Sequence, residues 1–216
     1  MENNKKDILK RFTRYIIGLF IMTIGIAVSV KSDLGVSPVS SIPYTMTRCW
    51  NIEMGKATIC FQSFLVLIQL CILRKKFKIR ALLQVPVGIL FGYFVTFSNY
   101  LISFLPDTDN YVIRIMMIFV SILIIATGLF FYVPANIMPL ASEGVMQAVS
   151  DTTGIAFSKI KTAFDVTVVL ISLILCLVIT KSLGSVGIGT VLVALFVGTV
   201  LGWIMKTWSA FKKKRT

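Results

Sequence analysis

Histidine is absent from the 216 residues. Zinc hydrolysis, haem ligation through imidazole and histidine-based acid–base catalysis therefore have no candidate groups. Four cysteines occur (Cys49, Cys60, Cys71 and Cys176), none at metal-ligand spacing and three of them inside long apolar runs, so no metal site is read from them. Charge is scarce as well. Asp and Glu together number nine, and charged residues make up 14% of the chain, where a soluble domain carries about a quarter.

What fills the chain instead is apolar, 56% of all residues. It comes in six blocks, at about 13–31, 56–73, 80–104, 112–133, 160–180 and 185–206. Each is long enough to cross about 30 Å of hydrocarbon as a helix. Their continuity, without period-2 alternation, excludes a barrel of strands. The chain reads as a single transmembrane domain with basic tails at 1–11 and 207–216.

The formal net charge of +13 invites a nucleic-acid reading, but its placement opposes one. Most of it sits in three clusters: Lys5, Lys6, Lys10, Arg11 and Arg14; Arg74, Lys75, Lys76, Lys78 and Arg80; and Lys206, Lys212, Lys213, Lys214 and Arg215. With six crossings all three fall at one face. The positive-inside rule makes that face cytoplasmic, both termini included. There the clusters meet anionic lipid headgroups. The loop 105–111, with Asp107 and Asp109, falls on the other side. The start imitates a secretory leader, yet its apolar block matches a later one, so it is read as retained.

Displaced by 103 residues, the first half lies on the second without a gap: Gly25 on Gly128, Val30 on Val133, Lys56 on Lys159, and "VLIQL" (66–70) on "VLISL" (169–173). "DLGVSPVSSIPY" (33–44) falls on "NIMPLASEGVMQ" (136–147), so both halves interrupt the oily pattern at one place. After a short insertion, Gly88 and Gly92 fall on Gly198 and Gly202. Both are Gly-x-x-x-Gly pairs, which let helix backbones approach closely in lipid and also allow a homo-oligomer. The expected fold is all-α: six transmembrane helices as two inverted three-helix repeats, at about 12–105 and 112–206. An odd number of spans per copy forces the inversion, an arrangement common in secondary transporters.

The interruptions admit two readings. Ser37 before Pro38 is a helix-start signal, and Pro139 stands before "LASEGVMQAVSD". Each segment then forms a half-helix of about 18 Å, re-entrant and tolerated at depth only under cover of protein or water. Alternatively both are loops with interfacial helices, Tyr44 and Trp50 serving as headgroup anchors.

Candidate binding or coupling residues follow from the half-helix reading: Ser37, Ser40, Ser41 and Tyr44 in the first interruption, and Ser142, Glu143 and Gln147 in the second. Asp165 lies inside the fifth span with Gln62 as its counterpart, and an ionisable group there is a functional candidate. Its plain alternative is a pair with Lys161, four residues earlier. Gln84, Ser98 and Asn99 are read first as bonds between helices. "GSVGIGT" (184–190) lacks the strand, lysine and ribose-binding acid of a nucleotide loop, so it is read as close helix packing. No cofactor and no metal are expected.

Two long stretches, "SEGVMQAVSDTTGIAFSKIKTAFDVTVVL" and "SVGIGTVLVALFVG", resemble the YitT/YczE-like family of small bacterial membrane proteins, and "LGVSP" (34–38) resembles a motif in that family's first half. The resemblance spans about residues 12 to 205. It places Glu143, Gly144 and Met146 on an acidic-Gly-x-Met segment, Asp165 on an intramembrane acidic position, and Gly187, Gly189 and Thr190 on a glycine motif. The family often has arginine just before the acid. Here it is Ser142, which weakens any anion site built on that arginine. What the resemblance implies is the fold, with transport as the assumed role. The leading expectation is a transporter of a small polar solute and not an enzyme. The alternative is a non-transporting scaffold or regulator of an envelope enzyme, and intramembrane lipid chemistry is a distant third.

Overall fold

The computed structural model describes residues 2–181, 184 and 186–213, with the side chains of 2–6, 75 and 210–213 excepted. Lys214 and Arg215 of the basic clusters lie outside the described residues, as do the side chains of Lys5, Lys6, Lys75, Lys212 and Lys213. The described residues form helices and no strand. In order these are α1 (Glu2–Ser32), α2 (Pro38–Trp50), α3 (Met54–Leu73), α4 (Gln84–Ser103), α5 (Tyr111–Ala135), α6 (Ala141–Thr153), α7 (Phe157–Thr180) and α8 (Ile188–Lys213). Two short 3₁₀ turns, Arg74–Lys76 and Ile79–Leu83, join α3 to α4.

Six of the helices are long and apolar enough to cross a membrane: Asp7–Ser32, Met54–Leu73, Ile79–Ser103, Tyr111–Ala135, Phe157–Thr180 and Ile188–Ser209. A helix satisfies every backbone group within its own segment, which hydrocarbon demands. The two remaining helices, α2 and α6, have 13 residues each and occupy the interruptions read from the sequence.

Helix boundaries recur at the offset of 103 residues. Helix α1 ends at Ser32 and α5 at Ala135, α2 spans 38–50 and α6 spans 141–153, and α3 and α7 start at 54 and 157. The backbone punctuation recurs too. Asp33 and Asn136 end the long helices with φ of 53° and 47°, and Asn51 and Gly154 end the short ones with φ of 53° and 73°. All four sit in the left-handed region that stops a helix and turns the chain.

The centre is an antiparallel crossing of α1 and α5, the most extensive contact in the fold. It depends on missing side chains. A Cβ on Gly128 would lie 2.7 Å from the Met22 nitrogen and 2.8 Å from the Gly18 oxygen. One on Gly25 would lie 2.9 Å from the Ile125 nitrogen and 3.0 Å from the Ser121 oxygen. Tyr15, Leu19, Ile118 and Ile122, each at most 2% exposed, fill the core along this seam.

Around the crossing α4 packs on α1 and α8 on α5, while α2 lies against α7 and α3, and α6 against α3 and α7. Helix α3 also packs on α4, where Gly55 and Gly92 face each other: a Cβ on Gly92 would meet the Gly55 oxygen at 2.7 Å. Among the described residues α7 and α8 scarcely touch. Of the apolar stretch of α1, 61% of residues are buried, against 17% in α7 and in α8.

Candidate functional site

The short helices begin deep in the bundle. The Ser172 hydroxyl, past the middle of α7, donates to the Ser41 hydroxyl of α2 at 2.9 Å, and Cys176 meets Thr45 one turn further on. Helix α2 therefore runs beside one half of α7, from near mid-span to an exposed Trp50. In the other half-helix, the Gln69 amide of α3 donates to the Ala141 carbonyl at 3.1 Å and to Gln84 Oε1 of α4 at 2.6 Å. A Cβ on Gly144 would collide with both glutamine side chains. Gly144 and Gln69 stand at the offset positions of Ser41 and Ser172. These contacts seat the two short helices against α7 and against α3 and α4 respectively.

Ser37 precedes α2 as the sequence suggests, with Pro38 in the first turn, but its hydroxyl makes no cap bond. It donates to Ser40 Oγ at 2.9 Å instead. Pro43 lies inside α2 and does not end it. Leu140, not a polar residue, stands at the start of α6, with Pro139 just before it.

The two breaks differ in what covers them. At 33–37 the start of α8 lies directly on the chain. The Gly189 amide donates to the Leu34 carbonyl at 2.8 Å, and added Cβ atoms on Gly35 and Gly187 would collide across this contact. The "LGVSP" and "GIGT" motifs thus touch one another. Ser29 pins the same break by donating to the Gly35 carbonyl at 2.9 Å.

The counterpart at 136–140 borders a cavity of about 190 Å³, lined by Tyr15, Tyr132, Val133, Asn136, Ile137, Met138, Pro139 and Glu143. Tyr132, the offset counterpart of Ser29, accepts from the Leu140 amide at 2.8 Å and donates to Glu143 Oε2 at 2.7 Å. Tyr15 donates to the Met138 carbonyl at 2.8 Å, and its ring centre lies 5.4 Å from that of Tyr132. Arg11 forks onto the last turn of α5, its Nε and Nη2 donating to the Ala135 carbonyl at 3.1 and 2.9 Å. That contact places the cavity at the end of the bundle carrying the N-terminal basic residues. With a carboxylate, two phenols and a broken helix around it, the cavity can hold a small polar molecule by hydrogen bonds.

The other sequence candidates are dispersed. Tyr44 lies at the opposite end, accepting from Arg48 Nε at 3.0 Å, with Arg48 also paired to Asp33. There it borders a second cavity of about 370 Å³, whose lining includes Lys31, Glu53 and Asn99 as well as the apolar Val30, Met54 and Ile102. Gln147 is exposed and bonds Asp151 at 2.7 Å. Ser142 and Gln62 are each 2% exposed, and Gln62 Oε1 has no hydrogen-bond partner among the described residues. Asp165 Oδ2 pairs with Lys161 at 2.8 Å, while its Oδ1 has none.

Gly88 and Gly92 pack α4 on α3, as their spacing suggests, but a Cβ on Gly198 or Gly202 would meet nothing within 4 Å. Tyr15, Tyr132 and Arg11 were not among the sequence candidates. Only the pairing of Tyr132 with Ser29 at the repeat offset could have pointed to one of them.

The architecture is that of an all-helical membrane protein with six candidate spans and a cavity at the chain break between α5 and α6. The chain belongs to a family of unknown function (DUF6198), whose model matches residues 9–206. It is similar to the uncharacterized membrane protein YczE of Bacillus subtilis (strain 168), 24% identical over 198 residues, which cover 91% of this chain and 86% of that protein. No solved structure matches.

Proposed function

We propose that the protein is a secondary transporter of a small polar solute, working in the bacterial cytoplasmic membrane and built from two inverted three-helix repeats. The observation carrying this reading is the unequal state of the two breaks. One borders a cavity containing Glu143, and its counterpart lies sealed under the start of α8. Transporters with inverted repeats hold substrate between the repeats at discontinuous helices. Support for the repeats comes from the recurring boundaries and from paired contacts that exchange when the halves are exchanged, α1 with α5 at the centre. Antiparallel α1 and α5, so related, require an axis in the membrane plane.

By the positive-inside rule the basic end and both termini are cytoplasmic, against anionic lipid, so the cavity faces the cytoplasm. In this reading Glu143 binds the solute or couples a proton, and the chain performs no chemical reaction. Proteoliposomes containing the purified protein, assayed with and without a pH gradient against amine, amino-acid, polyol and inorganic-ion probes, test it. One probe should accumulate, and Glu143→Gln should cut the rate about tenfold or more, the usual order for loss of a charged hydrogen-bonding group. If no probe or proton moves, or if Glu143→Gln transports at the full rate, the reading fails.

A further inference from the structure

Small polar side chains line the contact between α2 and α7, and the two helices run in the same direction. Ser41 Oγ lies 3.4 Å from the Val168 carbonyl and accepts from Ser172 Oγ at 2.9 Å. One turn outward, Cys176 Sγ donates to Thr45 Oγ1 at 3.6 Å. Residues four apart share a helix face, so the register carries on: two such steps from Ser41 and Val168 bring Cys49 beside Cys176. The thiols do meet there, within hydrogen-bonding reach of one another. Cys176 is fully buried, while Cys49 is partly exposed in the last turn of α2.

The repeat makes this placement uneven. The offset positions of Cys49 and Cys176 are Thr152 and Leu73, so the matched contact of α6 with α3 has no thiol at either place. The remaining cysteines, Cys60 and Cys71, are both exposed on α3. The facing pair therefore stands at one end of the bundle, that of Tyr44 and Arg48, away from the N-terminal basic residues.

We propose that Cys49 and Cys176 form a disulfide that fastens the outer end of α2 to α7. Both are thiols here, in a contact that needs little backbone movement to reach disulfide spacing. The bond rests on the orientation read above: with the basic end cytoplasmic, the pair lies at the extracytoplasmic end, where disulfides form and persist. The oxidant is a disulfide of that compartment, a small molecule or part of a protein. Cys49, the partly exposed thiol, attacks one of its sulfurs as the thiolate and expels the other as a thiolate. Cys176 then gives up its proton and attacks the Cys49 sulfur, expelling the second. Two thiols lose two electrons and two protons, and the oxidant leaves as two thiols. Hydroxyl contacts between membrane helices are each weak, so the covalent tie is what makes α2, from the first half, and α7, from the second, move as one body.

The test quenches whole cells with acid, denatures the full chain and labels its thiols with a maleimide-polyethylene glycol, with and without prior reduction. Two labels are expected without reductant, on Cys60 and Cys71, and four with it. Digestion without reductant should yield the Cys49 peptide joined to that of Cys176, and Cys176→Ser should restore a label on Cys49. In lipid nanodiscs, reduction should lower the thermal midpoint by about 5 °C and should leave a variant carrying Cys49→Ser and Cys176→Ser unmoved.

Four labels on the unreduced chain, or a bond joining Cys49 to any other cysteine, overturns the proposal. A membrane-impermeant maleimide applied to intact cells carrying Cys176→Ser then tells which part failed. Cys49 labelled from outside condemns the pairing, and Cys49 labelled only after lysis condemns the orientation. No solute enters this experiment, so transport stands or falls by its own assay.

Discussion

In the first half α4 is held between α1 and α3; in the second, α8 leans on α5 and turns Gly198 and Gly202 outward. Both helices carry the same Gly-x-x-x-Gly spacing. The difference teaches that the spacing grants permission for a close approach without requiring one. Whether a neighbour arrives depends on the rest of the bundle, and here the neighbour has arrived once. The breaks show the same inequality, one covered by α8 and one bordering a cavity.

Leucine substitutions probe this inequality most severely. Gly92→Leu drives a side chain into Ile59 and the Gly55 backbone and should cost about 3 kcal/mol, at the upper end for overpacking. Gly202→Leu, at a site where an added Cβ meets nothing within 4 Å, should leave the thermal midpoint in detergent unchanged. Equal losses at both sites would erase the contrast.

Next come the anchors of the short helices. Gln69→Ala strips Gln84 Oε1 and the Ala141 carbonyl of their shared donor and should destabilise by about 2 kcal/mol. At the matched position, Ser172→Ala loses one hydroxyl bond to Ser41, worth about 0.6 kcal/mol between membrane helices. Denaturation in mixed micelles measures both, and a larger loss at Ser172 would invert the expected order.

Tyr132→Phe leaves the Leu140 amide and Glu143 without their phenol. It should cost about 1 kcal/mol and weaken binding in the cavity, whereas Ser29→Ala at the sealed break should leave binding untouched.

The smallest effect belongs to the loop between the halves. Lys31 donates to Asp107, 2.5 Å away, and holds that exposed carboxyl below the usual carboxylate range. Because the folded value is the lower one, the unfolded chain binds more protons in between. What the pair contributes is thus present at neutral pH and lost as pH falls through the folded value. Asp107→Asn should shift the neutral-pH midpoint by less than the error of the measurement, since exposed pairs contribute little. Thermal scans at pH 7 and pH 3 compare the two.

The long helices were legible because hydropathy is a local property. The stretches read at 112–133 and 160–180 became Tyr111–Ala135 and Phe157–Thr180, the extra residues being Tyr111, Pro134 and Ala135 in the one and Phe157, Ser158 and Lys159 in the other. The short helices were legible from proline placement and from recurrence. The cavity was only half legible. Glu143 stood out as a carboxylate in an oily segment, but Tyr15 reaches Met138 from 123 positions away, and nothing local to a tyrosine in a span announces such a partner. For Asp165 the plain reading of a Lys161 pair describes the contact seen. The empty face at Gly198 was illegible for the converse reason, since a motif does not encode its own occupancy.

The α1–α5 crossing has a consequence for how the protein is made. Helix α1 leaves the ribosome well before its main partner α5, which ends 103 residues further along the chain, at Ala135 against Ser32. Until α5 is in the bilayer, the groove at Gly25 and the ring of Tyr15 face lipid, and α4 is the long helix available to shelter α1. Assembly therefore resembles the closing of two half-molecules more than the growth of one. Severed in the loop 104–110 and expressed as two pieces in the same cell, the halves should find each other through that crossing.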